Sequence, residues 1–155
     1  MTKEKLESIF WSIALPGFPQ ILNRKLTKGI LFIGLELLIN VQSNFNTAIM
    51  LSFQGETEKA IEQTNYQWLM FYPCLYFFAM WDAYKDADGK NSPLMFLPFV
   101  FSAYLVTVGV IYSSTFKINN VLLGPIWFPI LCLPIGLLIG TVIKKIILYK
   151  IKNSN

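Results

Sequence analysis

Ile118–Ile143 reads INNVLLGPIWFPILCLPIGLLIGTVI, 26 residues without a charge, and this stretch decides the solvent of the chain. A bilayer's hydrocarbon layer is crossed by about 20 mostly apolar helical residues. Inside it every backbone N–H and C=O must be paired within its own segment, which favours helices. Three further stretches repeat the pattern. Tyr66–Trp81 and Leu94–Tyr112 carry no charge, and Gly29–Phe53 carries only Glu36. A barrel would need apolar residues alternating with period two, whereas Leu94–Phe101 is apolar on every side.

Composition points the same way. The 155 residues are 54% hydrophobic and 14% charged, with a mean hydropathy of +0.49. A soluble chain this short cannot enclose that much apolar surface. The expected fold is therefore an all-α membrane protein, a single integral domain over residues 1–155. It is a four-span helical bundle with spans near 29–47, 65–84, 94–113 and 121–143, and a basic tail at 144–155.

The 13 basic residues set the orientation. With a cytoplasmic N-terminus, Lys3, Lys5, Arg24, Lys25, Lys28, Lys85, Lys90, Lys144, Lys145, Lys150 and Lys152 fall inside, and only Lys59 and Lys117 fall outside. The positive-inside rule then predicts both termini cytoplasmic in a plasma-membrane, multi-pass protein. The same rule accounts for the net charge of +4, so no nucleic-acid partner is expected.

Residues 6–22 are apolar but hold Glu7 and are broken by Pro16, Gly17 and Pro19. Proline inside a helix removes a hydrogen bond and clashes with the preceding turn. Basic clusters flank the segment on both sides, so an interfacial or re-entrant helix keeps both inside, with Trp11 at headgroup level. The interrupted apolar run and the lack of a small-x-small cleavage pattern argue against a signal peptide.

Pro16-Gly17-Phe18-Pro19-Gln20-Ile21-Leu22-Asn23, followed by Lys28-Gly29, and the later Trp81-Asp82-Ala83-Tyr84 carry a resemblance. They are similar to the Pro-Gly-x-Gly-Gln loop and the Trp-Asp-Ala-Tyr signature of small bacterial and archaeal membrane proteins of the TM-two domain family. The match covers about residues 1–87. This chain departs from the pattern at Pro19, where Gly is preferred, at Leu22, where Tyr or Phe is, and at Arg24, where Gly is. The resemblance implies a bacterial multi-pass membrane protein whose two helices are joined through a cytoplasmic-side loop. It marks Pro16, Gly17, Gln20, Asn23, Trp81 and Asp82 as that loop's residues and names no substrate. Gln20 and Asn23 are expected near Asp82 and Lys85, closing the inner mouth of the bundle.

The inventory for chemistry is short. The chain has no His, which removes the commonest metal ligand and the usual proton shuttle at neutral pH. Cys74 and Cys132 lie in different apolar stretches and read as small packing residues. Asp86-Ala87-Asp88-Gly89 lacks the carboxylates of a calcium loop at its first and twelfth positions, Tyr84 and Met95. No metal, cofactor or catalytic constellation is expected, and the chain reads as no enzyme.

Glu36 stands out, since a carboxylate at membrane depth costs about 2.5–3.5 kcal/mol and must face a partner or water. Asn40 and Asn44 follow it at helical spacing. Two roles fit this line: a proton or ion route, and a protonated carboxyl that joins helices by hydrogen bonding. Gly136 and Gly140 have the small-xxx-small spacing for close helix packing, against this chain or a second copy. The leading function is a non-enzymatic component that binds, protects or assembles membrane partners. Its expected contacts are the lipid bilayer and another membrane protein or itself. The alternatives are a small channel or carrier subunit using Glu36 and Asn40, and an intramembrane enzyme acting on lipid.

Overall fold

The computed structural model describes residues 2–153; Met1 and the last two positions of the 144–155 tail lie outside the described residues. The fold is all-α apart from one short hairpin. In chain order the elements are α1 (Lys3–Ala14), α2 (Phe18–Leu22), α3 (Leu26–Ser43), α4 (Phe45–Phe53), α5 (Thr57–Gln63), α6 (Tyr66–Leu69) and α7 (Phe71–Asp86). Then come α8 (Phe96–Tyr112), β1 (Lys117–Ile118), β2 (Val121–Leu122) and α9 (Gly124–Asn153). Helices α3 and α9 are each long and apolar enough to cross a membrane, and α8 is a shorter apolar helix of 17 residues. Helix α6 leads into α7 through Met70, itself in right-handed helical conformation.

The apolar run from Gly29 to Phe53 forms two helices. Asn44 takes a left-handed conformation (φ 56°), which asparagine tolerates better than most residues. Its side chain donates to the Gln63 carbonyl at 3.0 Å, and the freed Ser43 carbonyl accepts from Asn65 N–H at 3.0 Å. The chain therefore turns after Ser43, and α4 folds back with α5 over the start of α9. Trp127 Nε1 donates to the Ser52 carbonyl there at 3.2 Å. At the other extreme α9 outruns the apolar stretch and carries the basic tail as helix to Asn153. Thirty residues at 1.5 Å each make a rod about 45 Å long.

Helices α8 and α9 are antiparallel and packed backbone to backbone. A Cβ on Gly140 would lie 2.6 Å from Pro98 Cα, and one on Gly136 would lie 2.6 Å from Ser102 Cα. From the opposite side, a Cβ on Gly109 would lie 2.9 Å from Pro129 Cα. Three glycines thus set the seam, and the Gly136/Gly140 face is turned to this chain's own α8. Helix α3 runs antiparallel to α7, with Phe32 against Phe78 (centroids 5.9 Å). A small core of Phe77, Met80 and Phe99 joins α7 to α8, with Ile9 of α1 and Leu133 of α9 packed against it.

Burial is distributed in an unusual way. The enclosed residues include Lys5, Ser8, Ser12, Gln20, Ser43, Ser102 and Ser113, while Phe10, Ile30, Leu31, Val41, Leu138 and many like them are exposed. Helix α1 is the plainest case. Lys5, Ser8 and Ser12 line its inner face beside Ile9, and its outer face carries Leu6, Phe10, Trp11 and Ile13 together with Lys3, Glu4 and Glu7.

Candidate functional site

Two places gather polar groups, both on α7. The first is at its C-terminal end. Leu15-Pro16-Gly17 turns the chain between α1 and α2, so the two helices form a hairpin against α7. Gly17 has φ 100°, and a Cβ there would sit 2.6 Å from the Gly29 carbonyl. Glycine is required by both conformation and space. Pro19 falls in the first turn of α2, where a missing N–H leaves no bond unmade. Arg24 has φ 59°, so the position where the resembled pattern prefers glycine is one where glycine would be unstrained.

This hairpin delivers Gln20, which is fully buried. Its Nε2 donates to the Ala79 carbonyl at 2.7 Å and to Asp82 Oδ2 at 3.3 Å. Asn23 Nδ2 donates to the Ala83 carbonyl at 3.1 Å. From the first turns of α3, Lys28 Nζ reaches Asp82 Oδ1 at 2.7 Å and Asp86 Oδ2 at 2.8 Å. Lys85 takes a different place and lies over the Trp81 ring, 5.2 Å from its centroid. The structure thus brings together Gln20, Asn23, Asp82 and Lys28, with Pro16 and Gly17 forming the turn beneath them.

Lys5 completes this end. Its ammonium is fully enclosed and donates to the carbonyls of Tyr84 (2.8 Å) and Ala87 (3.0 Å) and to Asn91 Oδ1 (2.8 Å). It also lies 4.5 Å from the centre of the Tyr84 ring. The carbonyls of a helix C-terminus are unpaired within the helix and carry partial negative charge. The ammonium meets this need without a carboxylate. Sequence reading used Lys5 only as one of the basic residues that set orientation, although the i, i+3, i+7 line Lys5, Ser8, Ser12 is a legible signal of a polar stripe on α1.

The second place lies at the N-terminal end of α7. Tyr72 O–H donates to Glu36 Oε1 at 3.4 Å, and Glu36 Oε2 is enclosed with no hydrogen-bond partner among the described residues. Asn40 and Asn44 are not joined to Glu36 by any direct bond. Asn40 Nδ2 donates to Asn46 Oδ1 at 3.2 Å, and Asn44 serves the Gln63 carbonyl. Tyr72 was not legible as a partner, because nothing in the sequence pairs positions 36 apart.

Tyr72 and Tyr76 also line a cavity of about 300 Å³ between α4, α7, α8 and α9. Its other walls include Phe45, Ile49, Val110 and Ile126, so it is apolar throughout. Tyr76 O–H donates to the Ile13 carbonyl of α1 at 3.0 Å. Among the described residues no group of three His, Cys, Asp or Glu side chains is placed to hold a metal. No family model matches the chain, and no curated protein or solved structure matches it.

Proposed function

We propose that this chain is a small multi-pass plasma-membrane protein with a non-enzymatic, binding role inside the bilayer. Four segments cross: α3, α6 with α7, α8, and α9. The α1–α2 hairpin dips in from the cytoplasmic side and returns, so that both termini stay cytoplasmic. The observation that carries the reading is the burial on α1, with Lys5, Ser8 and Ser12 inward and Leu6, Phe10, Trp11 and Ile13 outward. In water such a helix would face the wrong way, whereas lipid accepts its apolar side and the bundle satisfies its polar one. The contacts of Lys5 with Tyr84 and of Ile13 with Tyr76 support a hairpin reaching about halfway along α7.

The contact of Gln20 with Asp82 supports kinship with TM-two domain proteins, because it joins the two marks on which the resemblance rests. The binding role is supported by the apolar cavity. The separate partners of Glu36, Asn40 and Asn44 give no continuous polar route and favour binding over conduction. Single-cysteine labelling tests the architecture: positions 3, 24, 85 and 150 label from the cytoplasm, and 59 and 117 from outside. Labelling of 3 and 24 on opposite faces would make the hairpin a fifth span. Purified protein in vesicles should add no ion flux, and a flux abolished by Glu36→Gln would replace binding with transport.

A further inference from the structure

We propose that the cavity between α4, α7, α8 and α9 takes a lipophilic cation, its apolar body among Phe45, Ile49, Val110 and Ile126 and its charge on the tyrosine wall beside Glu36. The inference rests on the binding role proposed above and names the ligand class for that site. The cavity walls supply hydrocarbon and aromatic surface only. Phe45, Tyr72 and Tyr76 form a continuous aromatic wall, with centroids 4.5 Å apart for the first pair and 5.8 Å for the second, stacked pair. Both tyrosine hydroxyls are already donated elsewhere, to Glu36 and to the Ile13 carbonyl. What remains for a guest is the aromatic surface that lines the cavity, and aromatic rings attract cations through their π systems.

Glu36 fixes the sign. It stands behind Tyr72 with one oxygen enclosed and unpartnered, and no Lys or Arg lines the cavity. A carboxylate beside low-dielectric walls favours a positive guest and repels a negative one. A small hydrated ion is excluded on different grounds, because apolar walls cannot replace its water. A cation whose charge is spread over apolar groups needs no such replacement.

The test uses two probes of matched shape and opposite charge, tetraphenylphosphonium and tetraphenylborate. Each is titrated by calorimetry into the full chain in nanodiscs of zwitterionic lipid, with empty nanodiscs subtracted. Saturable binding of the phosphonium is expected, about tenfold or more tighter than the borate. Glu36→Gln should weaken the phosphonium by about tenfold and leave the borate unchanged. Ile126→Trp, which fills the cavity, should abolish phosphonium binding with Glu36 intact. Equal affinity for the two probes, or phosphonium binding indifferent to Glu36→Gln, overturns the cation inference while leaving an apolar binding site. Saturable binding of neither probe overturns the inference and removes the cavity's support for the binding role. The comparison of probes on the unaltered chain decides the matter even where a variant fails to fold.

Discussion

Gln20 and Asp82 lie 62 positions apart and meet through a hydrogen bond of 3.3 Å inside the bundle. The same carboxylate accepts from Lys28 on its other oxygen. One buried side chain therefore holds the α1–α2 hairpin and α3 to α7 together, and several consequences can be measured.

Asp82→Ala should cost about 1–3 kcal/mol of stability in detergent, because it leaves the buried Gln20 amide short of an acceptor. Asp86→Ala should cost less than about 1 kcal/mol, since the half-exposed Lys28 keeps its bond to Asp82. Denaturant titration of the two variants side by side gives the comparison. Equal losses would mean that the hairpin does not depend on Asp82.

Lys5→Met keeps the length of the side chain and removes every donor from the cage formed by Tyr84, Ala87 and Asn91. Leaving those buried carbonyls unpaired costs about 1–3 kcal/mol. That cost should appear as release of α1 before any global unfolding. A cysteine placed at the buried Ser12 should then react with a soluble maleimide about tenfold faster than in the parent chain. An unchanged rate would show that apolar contacts such as that of Ile9 hold α1 by themselves.

Gly140→Val should destabilise by about 1–3 kcal/mol or more, because the added Cβ meets the backbone of Pro98, which cannot move aside as a side chain would. Gly34 is the internal control. Nothing lies within 4 Å of a Cβ built there, so Gly34→Ala should be neutral or stabilise α3 by about 0.5–1 kcal/mol. Thermal unfolding of both variants tests whether the small residues matter for contact or only for composition.

Glu36→Gln should keep the fold within about 0.5 kcal/mol, since an amide oxygen still accepts from Tyr72. Glu36→Leu removes the acceptor and should cost about 0.6 kcal/mol, with about 1.7 kcal/mol as the upper range for hydrogen bonds between membrane helices. A large loss in the Gln variant alone would assign the carboxylate a structural partner beyond Tyr72.

The helical class was legible because uncharged runs such as Ile118–Ile143 leave the backbone few other options. The cluster of Gln20, Asn23 and Asp82 was legible only through the resemblance, since no local pattern links residues some 60 positions apart. Helix boundaries were less readable, and the physical reason differs at each. The uncharged run continues through Asn44, where the turn depends on a backbone conformation and a side-chain bond to Gln63. The last such run stops at Lys144, where the helix does not, because lysine sustains a helix well. Asn119-Asn120, both at positive φ (49° and 63°), form a two-residue turn between β1 and β2. That pair was a hairpin signal left unread.

The cage around Lys5 also imposes an order of events on synthesis. Its last acceptor is Asn91, 86 positions downstream, so the first helix to leave the ribosome has no seat until half the chain has followed. At about 5–20 residues per second, that delay is about 4–17 s. During it, α1 has neither the Tyr84 and Ala87 carbonyls nor the Asn91 amide oxygen to enclose its lysine. The oldest part of the molecule is thus among the last to settle.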